Sequence, residues 1–536
     1  MATVLPPPSK KQKREIAERA REQQEIEVIP RNLGSVVLQF IDESTGTPTK
    51  GEIKVPVANT SVRELETILN TILNNTEHDR VPYRFAYKSE NEDGPTIDIM
   101  SDLYDALIKP GLKTTEDVIR LHYTPQAVFK VKAVSRCSAA IAGHGSAILA
   151  IAFSPVSSST MVTGSGDNTA RIFDCDTGTP IETLKGHTDW VLAVSFSPNG
   201  QMIATGSKDK TVRLWSSSKG KPLGTLKGHS RWINSLSWEP YHTQEAGRPV
   251  RIWDVVNKRI EMVLSHKDSV TCVRWGGIGK IYTASLDKAV RVWSAKDGTL
   301  ITALNAHTHR VNHLALSTDF VLRTAFHDHT HKIPETEAEK VEVAKKRFEK
   351  AATVHGKITE RLVSASDDFT MYLWDPESST KPVARMLGHQ KAVNHVTFSP
   401  DGAYIASAAF DNHVKLWNAR DGKFINTLRG HVAAVYQCCF SADSRLLVSS
   451  SQDSTLKIFD VRTGKLVMDL PGHEDQVFAV DWSPDGERVG SGGADKKDEI
   501  PNHSQTCIPY DFIKAIEETP PQNQTSTKHQ THVLLI

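Results

Sequence analysis

Histidine, aspartate and tryptophan recur in this 536-residue chain at intervals too regular for a single reaction centre. Eight histidines follow a small residue: His144, His187, His229, His266, His307, His389, His431 and His473. Successive separations are 43, 42, 37, 41, 82, 42 and 42 residues. Six aspartates, Asp167, Asp209, Asp287, Asp368, Asp411 and Asp453, each stand six residues before an aromatic. A histidine beside a carboxylate is the pairing of acid–base catalysis, but catalysis needs one constellation, whereas repeated copies describe a repeated structural bond. The chain also lacks a GxxxxGK[ST] phosphate loop, a GxSxG elbow and an HExxH zinc motif. Its six cysteines form no CxxC pair and no zinc spacing, so buried, reduced thiols are expected. The chemistry points to a protein that is not an enzyme, with no intrinsic cofactor and no metal held by this chain alone.

The elements that position these residues follow from the period. Each histidine is followed by alternating β-rich runs such as Val191–Pro198. Most repeats close on an aromatic pair: Phe173-Asp174, Trp215-Ser216, Trp253-Asp254, Trp293-Ser294, Trp374-Asp375, Trp417-Asn418 and Phe459-Asp460. Units of about 40–45 residues with GH and WD ends are identified as WD repeats, one four-stranded propeller blade each. The fold expected is mainly β: an eight-bladed WD-repeat β-propeller over 127–496, preceded by a small α+β domain. The segment Phe129–Ala140, ahead of the first repeat histidine, is expected to supply the outer strand of the last blade and close the ring. The 82-residue interval holds a charged, helix-favouring insertion near 320–358, either a solvated excursion or an adaptor arm.

Residues 33–126 read as that separate domain. Val36–Phe40 and Ile53–Val57 suggest a hairpin, and Ser61-Val62-Arg63-Glu64 has the form of a helix capping box. A strand at Tyr83–Tyr87, a short helix at Leu103–Leu107 and a strand at Val118–Tyr123 follow. This order resembles ubiquitin, a β-grasp fold. Residues 1–32 read as a charged, flexible tail in which Lys10, Lys11, Lys13 and Arg14 form a candidate nuclear import cluster. Lys+Arg is 64 and Asp+Glu 63, a balance that argues against a whole-molecule nucleic-acid or membrane binder. No run of about 18 apolar residues exists to span a membrane.

A ubiquitin-like domain followed by eight WD repeats resembles the Notchless family of ribosome assembly factors. Tyr123–Val131, Leu428–Gln437 and Ser441–Val448 carry the likeness most closely. The resemblance implies a non-catalytic nuclear and nucleolar factor of large-subunit (60S) biogenesis, with no small-molecule substrate. Its propeller would anchor on the pre-60S particle, through assembly factors, ribosomal proteins or rRNA. Its N-terminal domain would dock the AAA ATPase midasin through that partner's metal-ion-dependent adhesion site. The Mg²⁺ there belongs to the partner and wants one more hard oxygen. The resemblance places that ligand at Glu116, in the polar loop Thr114–Asp117, with Asp117 the fallback. The alternative is a substrate-recognition propeller of a ubiquitin ligase or a signalling scaffold, because a propeller by itself does not choose among these roles.

The loops leading into the innermost strands carry bulky or charged residues: Asp189, Trp190, Arg231, Trp232, Arg310, Lys391 and Asp475. They are expected to gather around the central channel as an interaction face, although Trp190 and Trp232 could equally pack between neighbouring loops. Two repeats depart from the pattern. The third runs from His229 to Trp253 in 24 residues, against 28 from His187 to Trp215, and its second strand and turn aspartate are expected to be missing. The eighth loses its closing strand after Lys496. Residues 497–536 match nothing in the repeat and read as a gene-model or splicing departure.

Overall fold

The computed structural model describes residues 34–494 apart from 44–45, 50, 58–59, 76–81, 89–95, 100–101, 126–130, 132–138, 142, 244–252, 255–258, 261–263, 265, 329–332, 355–356 and 471, together with 507–508 and 532–535. The candidate import cluster Lys10, Lys11, Lys13 and Arg14 lies outside the described residues. Two compact units are present, Met1–Val128 and Phe129–Ile536.

In the first unit, β1 (Ser35–Asp42), β2 (Ile53–Pro56), α1 (Val62–Ile72), β3 (Tyr83–Lys88), β4 (Thr96–Ile99) and β5 (Val118–Pro125) form one mixed sheet and its helix. The sheet order is β2-β1-β5-β3-β4, with β1 and β5 parallel and the other pairs antiparallel. Alternation along β1 buries Val36, Leu38 and Phe40, which meet Leu65 and Leu69 of α1 in one core. The α1 N-terminus is closed by the Glu64 carboxylate, which accepts the Ser61 N–H at 3.2 Å. The strand β4 was not foreseen; it is short and only Ile99 of its four residues is buried, so it carries little hydrophobic signal.

The second unit is a ring of sheets. Six are four-stranded with strands in chain order, as in Val191–Phe196, Met202–Ser207, Thr211–Ser216 and Pro222–Lys227 of the second blade. The innermost strands of successive blades lie side by side around the whole ring, and the eighth (Val477–Trp482) closes against the first (Ile148–Phe153). Apolar wedges join neighbouring blades. Val162, Ile172 and Leu184 of the first pack with Val191, Ile203 and Trp215 of the second.

The two aberrant repeats form blades differently. In the third, Leu236–Trp238, Trp253–Asp254 and Arg259–Ile260 hold the first, third and fourth positions, and the second is taken by His532–Leu535. Val533 stands opposite both Trp238 and Trp253. That is the register position of Ile203 between Phe196 and Trp215. The expected gap at the second position is thus occupied by residues from the tail. The eighth blade has Val477–Trp482 and Val489–Gly493 as a pair, and Ala139–Ala140 pairs with Cys507–Ile508.

The insertion is not a solvated excursion. It contains α2 (Asp319–Thr324) and α3 (Glu337–Ala352). Ala344, Phe348 and Ala352, four residues apart, form a buried stripe on the otherwise charged α3. Three small or aromatic residues on one face suffice to dock a helix that composition alone presents as solvated.

Candidate functional site

The repeat histidines are bonding posts. In the second blade the Trp215 Nε1–H donates to Thr205 Oγ1 (2.9 Å), and that hydroxyl lies 2.8 Å from His187 Nε2. His187 Nδ1 is 2.7 Å from Asp209 Oδ2, which also accepts the Thr188 N–H. This network fixes a neutral imidazole with its proton on Nδ1. Burial pushes the His187 pKa below its usual value despite the nearby Asp209. Burial pushes Asp209 up, but bonds from Thr211, His187 and Thr188 outweigh it and leave its pKa at about 2. The same His–Asp bond joins His144 to Asp167, His307 to Asp368, His389 to Asp411 and His431 to Asp453. Each turn is completed by a residue with positive φ immediately after the aspartate.

One expected pair does not form. Asp287 binds Arg291 at 2.6 Å, while His266 Nδ1 lies 3.0 Å from the Leu264 carbonyl. His473 bonds to Ser491 through Nε2; the aspartate at the turn position of its repeat, Asp495, lies outside the described residues. The chain has none in the third repeat, where His229 is half-buried with its pKa pushed down by desolvation. The serine or threonine that links histidine to tryptophan escaped the sequence reading. Its signal is nonetheless present, ten residues before the aromatic in Thr205, Thr283, Ser364 and Ser407.

Two of the thiols are held protonated. Burial pushes Cys175 and Cys439 up to about 12, and thiols held protonated are poor nucleophiles.

The loops ahead of the innermost strands bring Asp189, Trp190 and Trp232 together around Lys208. Trp190 and Trp232 are 47% and 55% exposed, and between them lies Lys208, its Nζ 4.6 Å and 4.9 Å from their ring centres. The two tryptophans are therefore both exposed and mutually ordered, by a cation–π sandwich the sequence did not disclose. Asp189 lies 4.0 Å from Lys208. Arg231 pairs with Asp268 (2.8 Å), and Arg310 with Asp367. Lys391 is exposed, and Asp475 accepts the Gln476 N–H. Phe369 joins this set unforeseen: it is 48% exposed at φ +67°, where the other blades place Asn, Lys or Ser. A bulky side chain held in the left-handed region is a strained choice that surface packing does not explain.

The acidic loop of the first unit separates its two acids. Asp117 Oδ2 accepts the Thr114 N–H (2.8 Å) and lies 3.0 Å from Thr114 Oγ1. These bonds from Thr114 hold the Asp117 carboxyl below its usual pKa. Asp117 is thus the fastener of the turn. Glu116 is exposed, and its carboxylate has no hydrogen bond or ion pair among the described residues. Leu112 (50% exposed) and Val118 (37%) flank the same loop.

The ring of blades and the repeated His–Asp–hydroxyl–Trp bonding define a WD-repeat propeller. The WD domain, G-beta repeat, family matches residues 135–174, 178–216, 220–244, 258–294, 380–418, 422–460 and 464–497; the repeat split by the insertion falls between two of these. Ribosome assembly protein 4 of Saccharomyces cerevisiae is 54% identical over 80% of this chain and 85% of its own length. Ribosome assembly protein 4 of Chaetomium thermophilum is 54% identical over 79% and 85%. Protein Notchless of Drosophila melanogaster is 43% identical over 70% and 76%. The chain belongs to the ribosome assembly protein 4/Notchless family.

Proposed function

We propose that this chain is a non-catalytic, nucleolar factor of large-subunit assembly that couples the pre-60S particle to midasin. The names of its relatives support the assembly role. The sheet order of the first unit supports its reading as a ubiquitin-like docking domain. The single observation that carries the coupling is Glu116: an exposed carboxylate on a turn held shut by Asp117. A hard-oxygen ligand for a partner's Mg²⁺ must be exposed and rigidly mounted. Asp117, with one oxygen committed to Thr114, positions the ligand and does not replace it. The propeller stays on the particle, offering the Trp190–Lys208–Trp232 sandwich and Arg231 and Arg310 as anchors of the kind that dominate protein interfaces.

The test is a titration of the full chain against midasin's adhesion-site domain, in Mg²⁺ and in EDTA. Binding is expected in Mg²⁺ only, and Glu116→Ala is expected to abolish it while Asp117→Asn weakens it about tenfold. Tight binding indifferent to EDTA and to Glu116 would discard the metal-ligand mechanism.

A further inference from the structure

The insertion in the fifth blade reaches in two directions. Arg323 of α2 directs NH1 to Asp481 Oδ1 (2.8 Å) and NH2 to Asp481 Oδ2. Asp481 lies in the first strand of the eighth blade, and its Oδ2 also accepts the Phe153 N–H of the first blade at 2.9 Å. One carboxylate therefore joins the eighth blade, the first blade and an arm from the fifth. In a ring of eight, the fifth blade stands diametrically opposite the first, so Arg323 spans the channel. It does so from a fixed mount. Asp319 at the start of α2 accepts the Leu316 N–H (2.8 Å) and an Arg274 bond (3.3 Å). At the other end, Arg347 of α3 binds Thr324 Oγ1 at 3.1 Å and the Ala325 carbonyl at 2.5 Å.

The opposite side of the insertion meets the third blade. Tyr241 packs edge-on against Phe326 at 5.0 Å, and its hydroxyl bonds Glu337. His242 stacks on Phe348 at 4.5 Å, and His242 Nε2 lies 3.0 Å from the Gly277 carbonyl. A Cβ on Gly277 would lie 2.3 Å from the Phe348 ring, so the seat of α3 exists only because that residue is glycine. Glu360, buried at the return of the insertion, accepts the Gly277 N–H (2.8 Å) and lies 2.7 Å from Thr318 Oγ1.

Besides its neighbouring fourth blade, the insertion thus reaches the third and the eighth, the two that among the described residues lack a complete run of their own strands. We propose that the insertion is a cross-channel brace, which holds the closing seam of the ring through Arg323 and backs the third blade through α3. A blade short of strands has fewer ladder bonds and less buried wedge, and it opens first in a ring whose blades rely on their neighbours. The brace follows a first strand, whereas the loops bearing Trp190 and Trp232 precede one. It therefore covers one mouth of the channel and leaves the other, with its exposed aromatic face, to partners.

Hydrogen exchange on the full chain, read by peptide, tests this. Arg323→Ala is expected to speed exchange on the order of tenfold in 148–153 and 477–482, leaving 393–398 and 404–409 of the sixth blade unchanged. Phe348→Ala is expected to do the same in 236–243 and 270–275, leaving the seam alone. Lys346→Ala, on the outer face of α3 and 70% exposed, is the silent control. Asp481→Asn keeps an acceptor for the Phe153 N–H but loses the charge. Combined with Arg323→Ala, it is expected to speed the seam no more than either change alone. An unchanged seam in Arg323→Ala, equal acceleration in every blade, or additive effects in the double variant would each overturn the brace.

Discussion

The second and fourth blades carry the same four side chains and bond them differently. Each has a leading histidine, a turn aspartate, an arginine four residues on and a tryptophan two beyond that: His187, Asp209, Arg213 and Trp215 against His266, Asp287, Arg291 and Trp293. In the second blade the aspartate holds the histidine; in the fourth it holds the arginine. The second blade has two features that favour its arrangement. Gly186 sits at φ +153°, and a Cβ there would come within 2.3 Å of Arg213 NH1, so the guanidinium runs through space that only glycine leaves open. In the fourth blade the Arg291 guanidinium turns onto Asp287 instead. Thr211 also binds Asp209 Oδ1 at 2.6 Å and fixes its orientation; the equivalent Ala289 has no hydroxyl to do so. A recurring motif thus sets what can bond, and its least conspicuous members set what does.

Gly186→Ser should break this contrast most sharply. It forces an unfavourable φ and displaces Arg213, and about 3 kcal/mol of stability should be lost in urea unfolding. Asp209→Ala should cost about 2–3 kcal/mol, since it strips His187 and two backbone N–H groups of their acceptor. Asp287→Ala, which leaves the buried Arg291 and one backbone N–H, that of Ala289, without this acceptor, should cost about 2 kcal/mol in the same assay. Equal losses from the two would show that the bonding difference carries no energy.

Acidification should reveal the histidines next. Those of blades two, six and seven have pKa values pushed below the usual 6.5 by burial, so the unfolded chain takes up protons first. His395, in the channel beside His313, is held down to about 3. Stability should therefore be full above pH 6.5 and fall as pH drops through it, with a further fall below 3.8 as Asp209, Asp411 and Asp453, held near 2, are protonated in the unfolded chain. Melting temperatures between pH 7.5 and 3 would display both steps, and a flat profile would contradict the neutral assignment. The smallest effect, a gain of about 1 kcal/mol, is expected from Ala289→Thr, whose hydroxyl should fix Asp287 as Thr211 fixes Asp209.

Much of the propeller was legible because its period is long and its anchors are rare residue types. Histidine, aspartate and tryptophan stand out; the serine or threonine between them does not, although its spacing is as strict. The insertion misled by composition, since three buried positions are a faint stripe in a charged helix. The acidic loop was legible as a polar turn with two acids. The resemblance placed the ligand at Glu116 with Asp117 the fallback, and that the Thr114 amide holds Asp117 was not legible.

The sequence by itself determined the number and kind of repeated units, since each is a local unit bonded within some 40 residues. Only the tertiary structure decided where Arg323 lands, which chain segment backs the third blade and which arginine takes which aspartate. Those outcomes depend on contacts between residues far apart in the chain and on steric room measured in fractions of an ångström. Neither leaves a period to read.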